Sequence, residues 1–183
     1  QLHPLKYLIG LMQSVLRKGG LIFTNTHVQE VNGGDQASVV TKTGRVVHCK
    51  SIVMATNTPV NDTLVIHTKQ SSYCTYVLGL KTPKGSMPLA LYCDTLDPYH
   101  YIRVDNKTSA AFDVLIVGGE DHKTGQNDHP QSCYSRLENW ARENFPVCTD
   151  LLYQWSGQVM EPVDGIAYIG HNPLDQKNVY VVT

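Results

Sequence analysis

Residues 51–62 read SIVMATNTPVND. Three apolar residues, Ile52, Val53 and Met54, give way at once to Ala55-Thr56-Asn57, and Pro59 has no N–H with which to continue a sheet ladder. A strand apolar at every position is one covered on both faces, as in parallel sheets. Small and polar residues after it leave the backbone approachable, and the carboxyl end of a parallel strand is where open α/β sheets bind ligands. The stretch therefore predicts a short parallel strand running into a binding loop, with an ordinary strand exit as the alternative.

Upstream, in HPLKYLIGLMQSVLRKGG (3–20), Leu5, Leu8, Ile9, Met12, Val15 and Leu16 recur at three-and-four spacing. That is one apolar stripe on a helix, with Pro4 suited to its first position and Gly19-Gly20 to its end. Each large stripe residue contributes roughly 1.5–3 kcal/mol if buried, so the helix is expected to lie against a sheet. Strands are predicted at LIF (21–23), THVQEVN (26–32), ASVVTK (37–42) and RVVHCK (45–50), with turns at Asn32-Gly33-Gly34-Asp35 and Thr43-Gly44.

Downstream, SSYCTYVLGLK (71–81), LALYCD (89–94), YHYIRVD (99–105) and AFDVLIVGGE (111–120) are longer strand candidates, rich in tyrosine and β-branched residues. Short connections favour an antiparallel sheet. Gly118-Gly119 is expected to open a polar loop, followed by a helix at about 131–144 with Leu137, Trp140 and Ala141 on one side. A strand around 150–161, a turn at Asp164-Gly165 and short strands in IAYIG and NVYVV complete the chain.

The 183 residues are 42% hydrophobic with a formal net charge of −1. That is enough apolar material for a core, and no basic excess points to nucleic acid. No run approaches the roughly 18 apolar residues of a membrane span. Five scattered cysteines without a C-x-x-C suggest free thiols in a reducing compartment, hence a cytoplasmic protein. The first residue is Gln1 and the last residues, NVYVVT, read as an unfinished strand, so a piece of a longer protein is expected.

Taken in order, His3-Pro4, Tyr7-Leu8 and Leu11, then Gly19-Gly20, Thr26-Val28-Val31, Ile52–Thr56, and Trp155-Ser156-Gly157 through Asp164-Gly165 to Ile169-Gly170 resemble the flavoprotein family of D-amino-acid oxidases, glycine oxidases and related amine dehydrogenases. YHYIR and VGGEDHKTGQ are similar to a bacterial branch of that family, some members of which carry a C-terminal Rieske iron–sulphur domain. The resemblance implies an α+β (α/β) protein. Residues 1–60 would form part of a three-layer β/β/α FAD-binding domain, 61–150 an antiparallel substrate-binding sheet plus helix, and 151–183 a return segment to the FAD-binding domain. It implies FAD as cofactor, a small-molecule amine or amino acid as substrate, and hydride transfer from its C–H to the flavin. It places Val28, Ala55, Thr56, Asn57, Asp164, Gly165 and Gly170 beside the cofactor.

Two departures accompany the resemblance. The fourteen glycines include no G-x-G-x-x-G, the family's pyrophosphate cradle, and the glycine-rich segment beside the flavin ring would fall after Thr183. Tight FAD binding is thus expected to need further protein. The arginine that clamps an α-carboxylate in amino-acid oxidases is replaced at about its position by Val159.

On the substrate side, period-two alternation puts Tyr99, Tyr101 and Arg103 on one face of a strand and His100 and Ile102 on the other. Tyr101 and Arg103 are the candidate catalytic residues, suited to an anionic or aromatic substrate; a solubilising role is the alternative for Arg103, and a satisfied structural role for His100. Asp121, His122, Asp128 and His129 are metal-capable but lack ligand spacing, and no metal is expected there. No nucleophile elbow is present, which disfavours hydrolases. A non-enzymatic α+β ligand- or partner-binding module is the main rival; a NAD-linked flavin reductase would need a second dinucleotide fingerprint, and none is found.

Overall fold

The computed structural model describes residues 2–57, 68–126, 129–171 and 177–183. Pro59, the expected boundary at residue 60 and Asp128 lie outside the described residues. The chain divides into two compact units, one holding residues up to Met54 with Gly170–Val181, the other Ala55–Ile169 with Val182–Thr183.

In the first unit, α1 runs from Pro4 to Arg17. The His3 imidazole caps it, Nδ1 accepting from the Lys6 N–H at 3.3 Å, and Gly19 at φ 81° takes the chain out of the helix. The apolar stripe is present, but the sheet expected beneath it is not: no residue of α1 is buried, and even Ile9 and Met12 are 42% exposed. Residues 21–23 form no strand, and Leu21 and Phe23 are exposed. An apolar triplet becomes a strand only where a neighbour completes its hydrogen bonds.

The three-stranded antiparallel meander follows the predicted turns. It consists of β1 (Val28–Asn32), β2 (Ser38–Thr41) and β3 (Val46–His48) in that spatial order. Gly34 at φ 88° and Gly44 at φ 79° make its turns. The opening stretch forms β4 (Ile52–Met54), parallel to β11 (Val179–Val182), with Ile52 opposite Val179 and Met54 opposite Val181. Strand β10 (Ile169–His171) lies on the far side of β11. Covering on both faces does not hold for β4. Ile52 and Met54 are buried with Ala37 and Val179, but Val53 is 61% exposed. Asn178 pins this corner, its amide oxygen accepting from the Gly34 N–H at 3.0 Å and its amide nitrogen donating to the Lys50 carbonyl at 2.6 Å.

The second unit is built on a five-stranded sheet. Its strands are β5 (Gln70–Pro83), β6 (Leu91–Cys93), β7 (Tyr101–Asp105), β8 (Phe112–Lys123) and β9 (Leu151–Pro162), in the spatial order β6-β7-β8-β5-β9. All neighbours are antiparallel. Gly118-Gly119 does not open a loop: β8 runs on to Lys123 and carries Asp121 and His122 within it. Helix α2 (Pro130–Asn144) covers one face of the sheet. Its Cys133, Leu137 and Ala141 bury against Tyr76, Leu78, Leu80, Ile102, Val104, Leu115 and Val117. Each fully buried leucine there contributes roughly 1.5–3 kcal/mol, which makes this layer the principal source of stability in the unit. Among the described residues no helix is long and apolar enough to cross a membrane.

Candidate functional site

With every second residue turned toward α2, the alternate residues define the sheet's other face. Two cross-strand rows compose it. In one, Tyr101 stands opposite Gly118, Gly118 opposite Val77 and Val77 opposite Trp155. In the next, Arg103 stands opposite Ile116, Ile116 opposite Gly79 and Gly79 opposite Tyr153. Arg103, Tyr153 and Trp155 are exposed there.

The glycines in these rows make room for rings. A β-carbon on Gly118 would overlap the edge of the Tyr101 ring, and one on Gly79 would come within 2.9 Å of the Tyr153 ring. Tyr101 is thereby laid over the β8 backbone, where its hydroxyl meets that of Thr75 at 3.1 Å. Tyr99 lies beside it, ring centroids 6.2 Å apart and tilted by 50°. Burial pushes the Tyr101 phenol above its ordinary pKa. The Thr75 hydrogen bond opposes that shift, and the Asp121 and Tyr99 charges add to it. Arg103, two residues along the same strand face, makes no ion pair among the described residues. Its five N–H donors in a planar fork remain suited to a carboxylate. The face thus offers aromatic walls, a phenolic hydroxyl and a cation.

Tyr101 and Arg103 are therefore brought together as the alternation predicts, and His100 is turned away from them. His100 is buried, its Nδ1 2.7 Å from Asp94 Oδ2 and its ring stacked on Trp140 at 3.8 Å. Burial tends to raise the Asp94 pKa, but hydrogen bonds from the His100 N–H and imidazole and the Leu96 N–H outweigh it and hold the carboxyl below its usual value. This dyad positions the start of β7.

Val28 is half-buried in β1, in the first unit. Ala55, Thr56 and Asn57 follow β4 directly, all exposed, with Asn57 in the left-handed region at φ 64°. Asp164 and Gly165 make the turn after β9, where the Gly165 N–H donates to the Pro162 carbonyl at 3.0 Å and Asp164 Oδ1 accepts from the Ile166 N–H at 3.2 Å. Gly170 lies in β10. Open space surrounds the position a β-carbon would take at Gly165 and at Gly170. Small exposed residues at the end of a parallel strand leave backbone open to a ligand's approach. Among the described residues no group of three or more His, Cys, Asp or Glu could hold a metal ion.

Trp155 reads in sequence as part of the returning segment and Gly118 as a loop opener rather than as parts of this face, and Thr75 and Tyr153 carry no motif. Tyr153, Trp155 and Gly157 recur at period two, the signal that could have found the outer edge of the face.

Comparison with known proteins bears on this geometry. The model of the FAD dependent oxidoreductase family DAO matches residues 1–183. A curated protein of Bacillus subtilis (strain 168), YhfW, named for a Rieske 2Fe-2S iron-sulfur protein, is 28% identical over 184 residues, which is 100% of this chain and 35% of that protein. Among solved structures, NikD, an unusual amino acid oxidase essential for nikkomycin biosynthesis, superposes with a TM-score of 0.77 at 18% identity, over 96% of this chain and 50% of that one. Glycine oxidase from Bacillus cereus ATCC 14579 gives 0.64 at 17% identity, over 93% and 47%. The chain thus spans about a third of its curated relative and about half of these solved structures.

Proposed function

The chain belongs to the DAO family of FAD-dependent oxidoreductases, and from that premise we propose that it is the central part of a flavoenzyme that oxidises a small amine or amino acid. The observation that carries this reading is the paired-row face of the second unit: Tyr101, Tyr153 and Trp155 as aromatic walls, with Arg103 beside them. The mixed α+β fold is that of amino-acid oxidases, which places the proposal within a known architecture.

In the proposed reaction, FAD supplies the acceptor for a hydride from the carbon bearing the nitrogen. The residues of this chain bind and orient. Arg103 pairs its fork with a substrate carboxylate or other anion, in place of the arginine that position 159 lacks. Tyr99, Tyr101, Tyr153 and Trp155 present flat apolar surface that sheds water from the reacting carbon. Tyr101, held by the Thr75 hydroxyl, keeps its own hydroxyl at a fixed place on that surface. Ala55, Thr56, Asn57, Val28, Asp164, Gly165 and Gly170 are the residues proposed to lie along the cofactor.

The uncovered apolar stripe of α1 supports a larger protein, since an exposed patch of this kind marks a surface that another segment covers. The name of the Bacillus subtilis relative supports a Rieske iron–sulphur domain as one such segment. Five cysteines free of disulfides support a cytoplasmic setting. The test is to express the chain with its flanking genomic segments and measure flavin absorbance per protein. One flavin per chain, bleached anaerobically by an amine or amino acid, supports the proposal. A flavin-free folded protein overturns it.

A further inference from the structure

The five-stranded sheet has two edges, and they are not alike. At one edge β6 is three residues long, too short to offer another chain much to pair with. At the other, β9 is twelve residues long and pairs only with β5 among the described residues. From Leu151 to Met160 it carries no charged residue and no proline, and its register shift falls at one end, opposite Gly79 and Leu80. Residues 153–159 are exposed without a break. Shortness, lysine, an internal proline or a central bulge keeps a free edge from pairing, and β9 has none of these.

The register says which backbone groups are free. The Val163 N–H donates to the Lys69 carbonyl at 2.9 Å, just beyond the pair Gln70–Pro162, so that pair is of the non-hydrogen-bonded kind. Alternation from there makes Ser71–Glu161, Tyr73–Val159, Thr75–Gly157 and Val77–Trp155 the pairs that exchange bonds between β5 and β9. Gln154, Ser156, Gln158 and Met160 therefore point their N–H and C=O groups away from the sheet. Those backbone groups have no partner among the described residues.

We propose that the outer edge of β9 receives one further strand, supplied by the part of the longer protein outside residues 1–183. The chain spans about half the length of the solved structures it superposes on, so a comparable length of polypeptide remains to supply it. The two faces of β9 set the pattern of that strand. Tyr153, Trp155 and Val159 expose large apolar groups on one side, whereas Gln154, Ser156 and Gln158 put polar groups on the other. Cross-strand neighbours of matching character stabilise the pairing. The partner is thus a run of about seven residues, roughly 20 Å long, alternating apolar and polar. A second copy of this chain is the competing occupant, but a strand on the same polypeptide meets the edge at a concentration set by its linker rather than by dilution.

The test uses the full-length protein, expressed with its flanking genomic segments, and reads amide hydrogen exchange along β9 by NMR. A bare edge gives an alternating pattern, with the Trp155, Gly157 and Val159 N–H groups protected by β5 and those of Gln154, Ser156, Gln158 and Met160 exchanging freely. With the strand in place, the second set is expected to exchange at least about a hundredfold slower than unstructured amides. Nuclear Overhauser contacts should cross the edge to residues outside 1–183, and mixing labelled with unlabelled protein shows whether they lie in the same molecule. The alternating pattern in the full-length protein overturns the proposal, as do contacts across the edge that come from a second copy. None of these readouts involves flavin, so the result stands apart from the flavoenzyme reading.

Discussion

Gly118→Ala is the most direct test of how the face is constructed. Gly118 has an ordinary backbone conformation, so the substitution adds no torsional strain; its entire effect comes from the methyl group meeting the Tyr101 ring edge. The ring cannot sink, because the β8 backbone lies beneath it, so it must swing off the sheet and leave Thr75, 3.1 Å away. Overpacking of this kind costs about 1–3 kcal/mol and a lost hydrogen bond about 1 kcal/mol more. The sum, about 2–4 kcal/mol, corresponds to a fall in Tm of roughly 4–16 °C for a chain of this length. Gly157→Ala is the internal control. It lies on β9, two strands away from β8 and opposite Thr75 of β5, with nothing within 4 Å of its added carbon. Its expected effect is within about 0.5 kcal/mol of zero. Thermal and urea unfolding of both variants, repeated in a Tyr101→Ala background, complete the cycle: removing the ring should abolish the Gly118→Ala penalty. A Gly118→Ala variant as stable as Gly157→Ala, or a penalty that persists without the ring, refutes the placement of Tyr101.

Two further outcomes follow from buried polar groups. Asp113 is held below the usual carboxylate pKa, first by the Lys84 ammonium, 2.9 Å away, and then by the Gly85 N–H at 2.8 Å. Because its folded pKa lies below the unfolded value, its contribution is complete above about pH 4 and disappears as pH falls through the folded value. Asp113→Asn should therefore be less stable than the wild type at neutral pH, with the gap in urea midpoint closing in acid. Tyr76 is pushed up from 10.0 to about 12, first by burial and then by the neighbouring Cys133 and Cys74. A phenol that the fold keeps protonated loses stabilising effect as pH rises from its unfolded value toward its folded one. Stability should fall over that alkaline range, and Tyr76→Phe should remove this part of the fall, as read by urea titration at a series of pH values.

Local periodicity made much of this molecule legible. Helix α1 and the alternation of Tyr101 and Arg103 depend only on neighbouring residues and occur as the spacing predicts, whereas Tyr99, expected on the same strand, precedes β7. What could not be read depends on partners far along the chain. β9 completes the sheet by pairing with β5 some eighty positions earlier, and no local feature of LLYQWSGQVMEP announces that. Gly118-Gly119 reads as a loop signal because glycine usually interrupts strands. Here it serves close approach instead, letting Tyr101 and His100 lie against β8. The same misreading put Asp121 in a solvated loop, when it lies within β8 with one carboxylate oxygen shielded from solvent. For Val53, an unbroken apolar triplet implied two covered faces, whereas alternation within three residues buries only Ile52 and Met54.

Arg103 gives the most decisive experiment. In the flavin-loaded protein carrying its flanking segments, the substrate dissociation constant is obtained from the concentration dependence of anaerobic bleaching. Arg103→Ala should weaken a carboxylate-bearing amine by about tenfold or more while flavin content and the melting temperature stay unchanged. Unaltered substrate binding in that variant would contradict the assignment of this sheet face to the substrate.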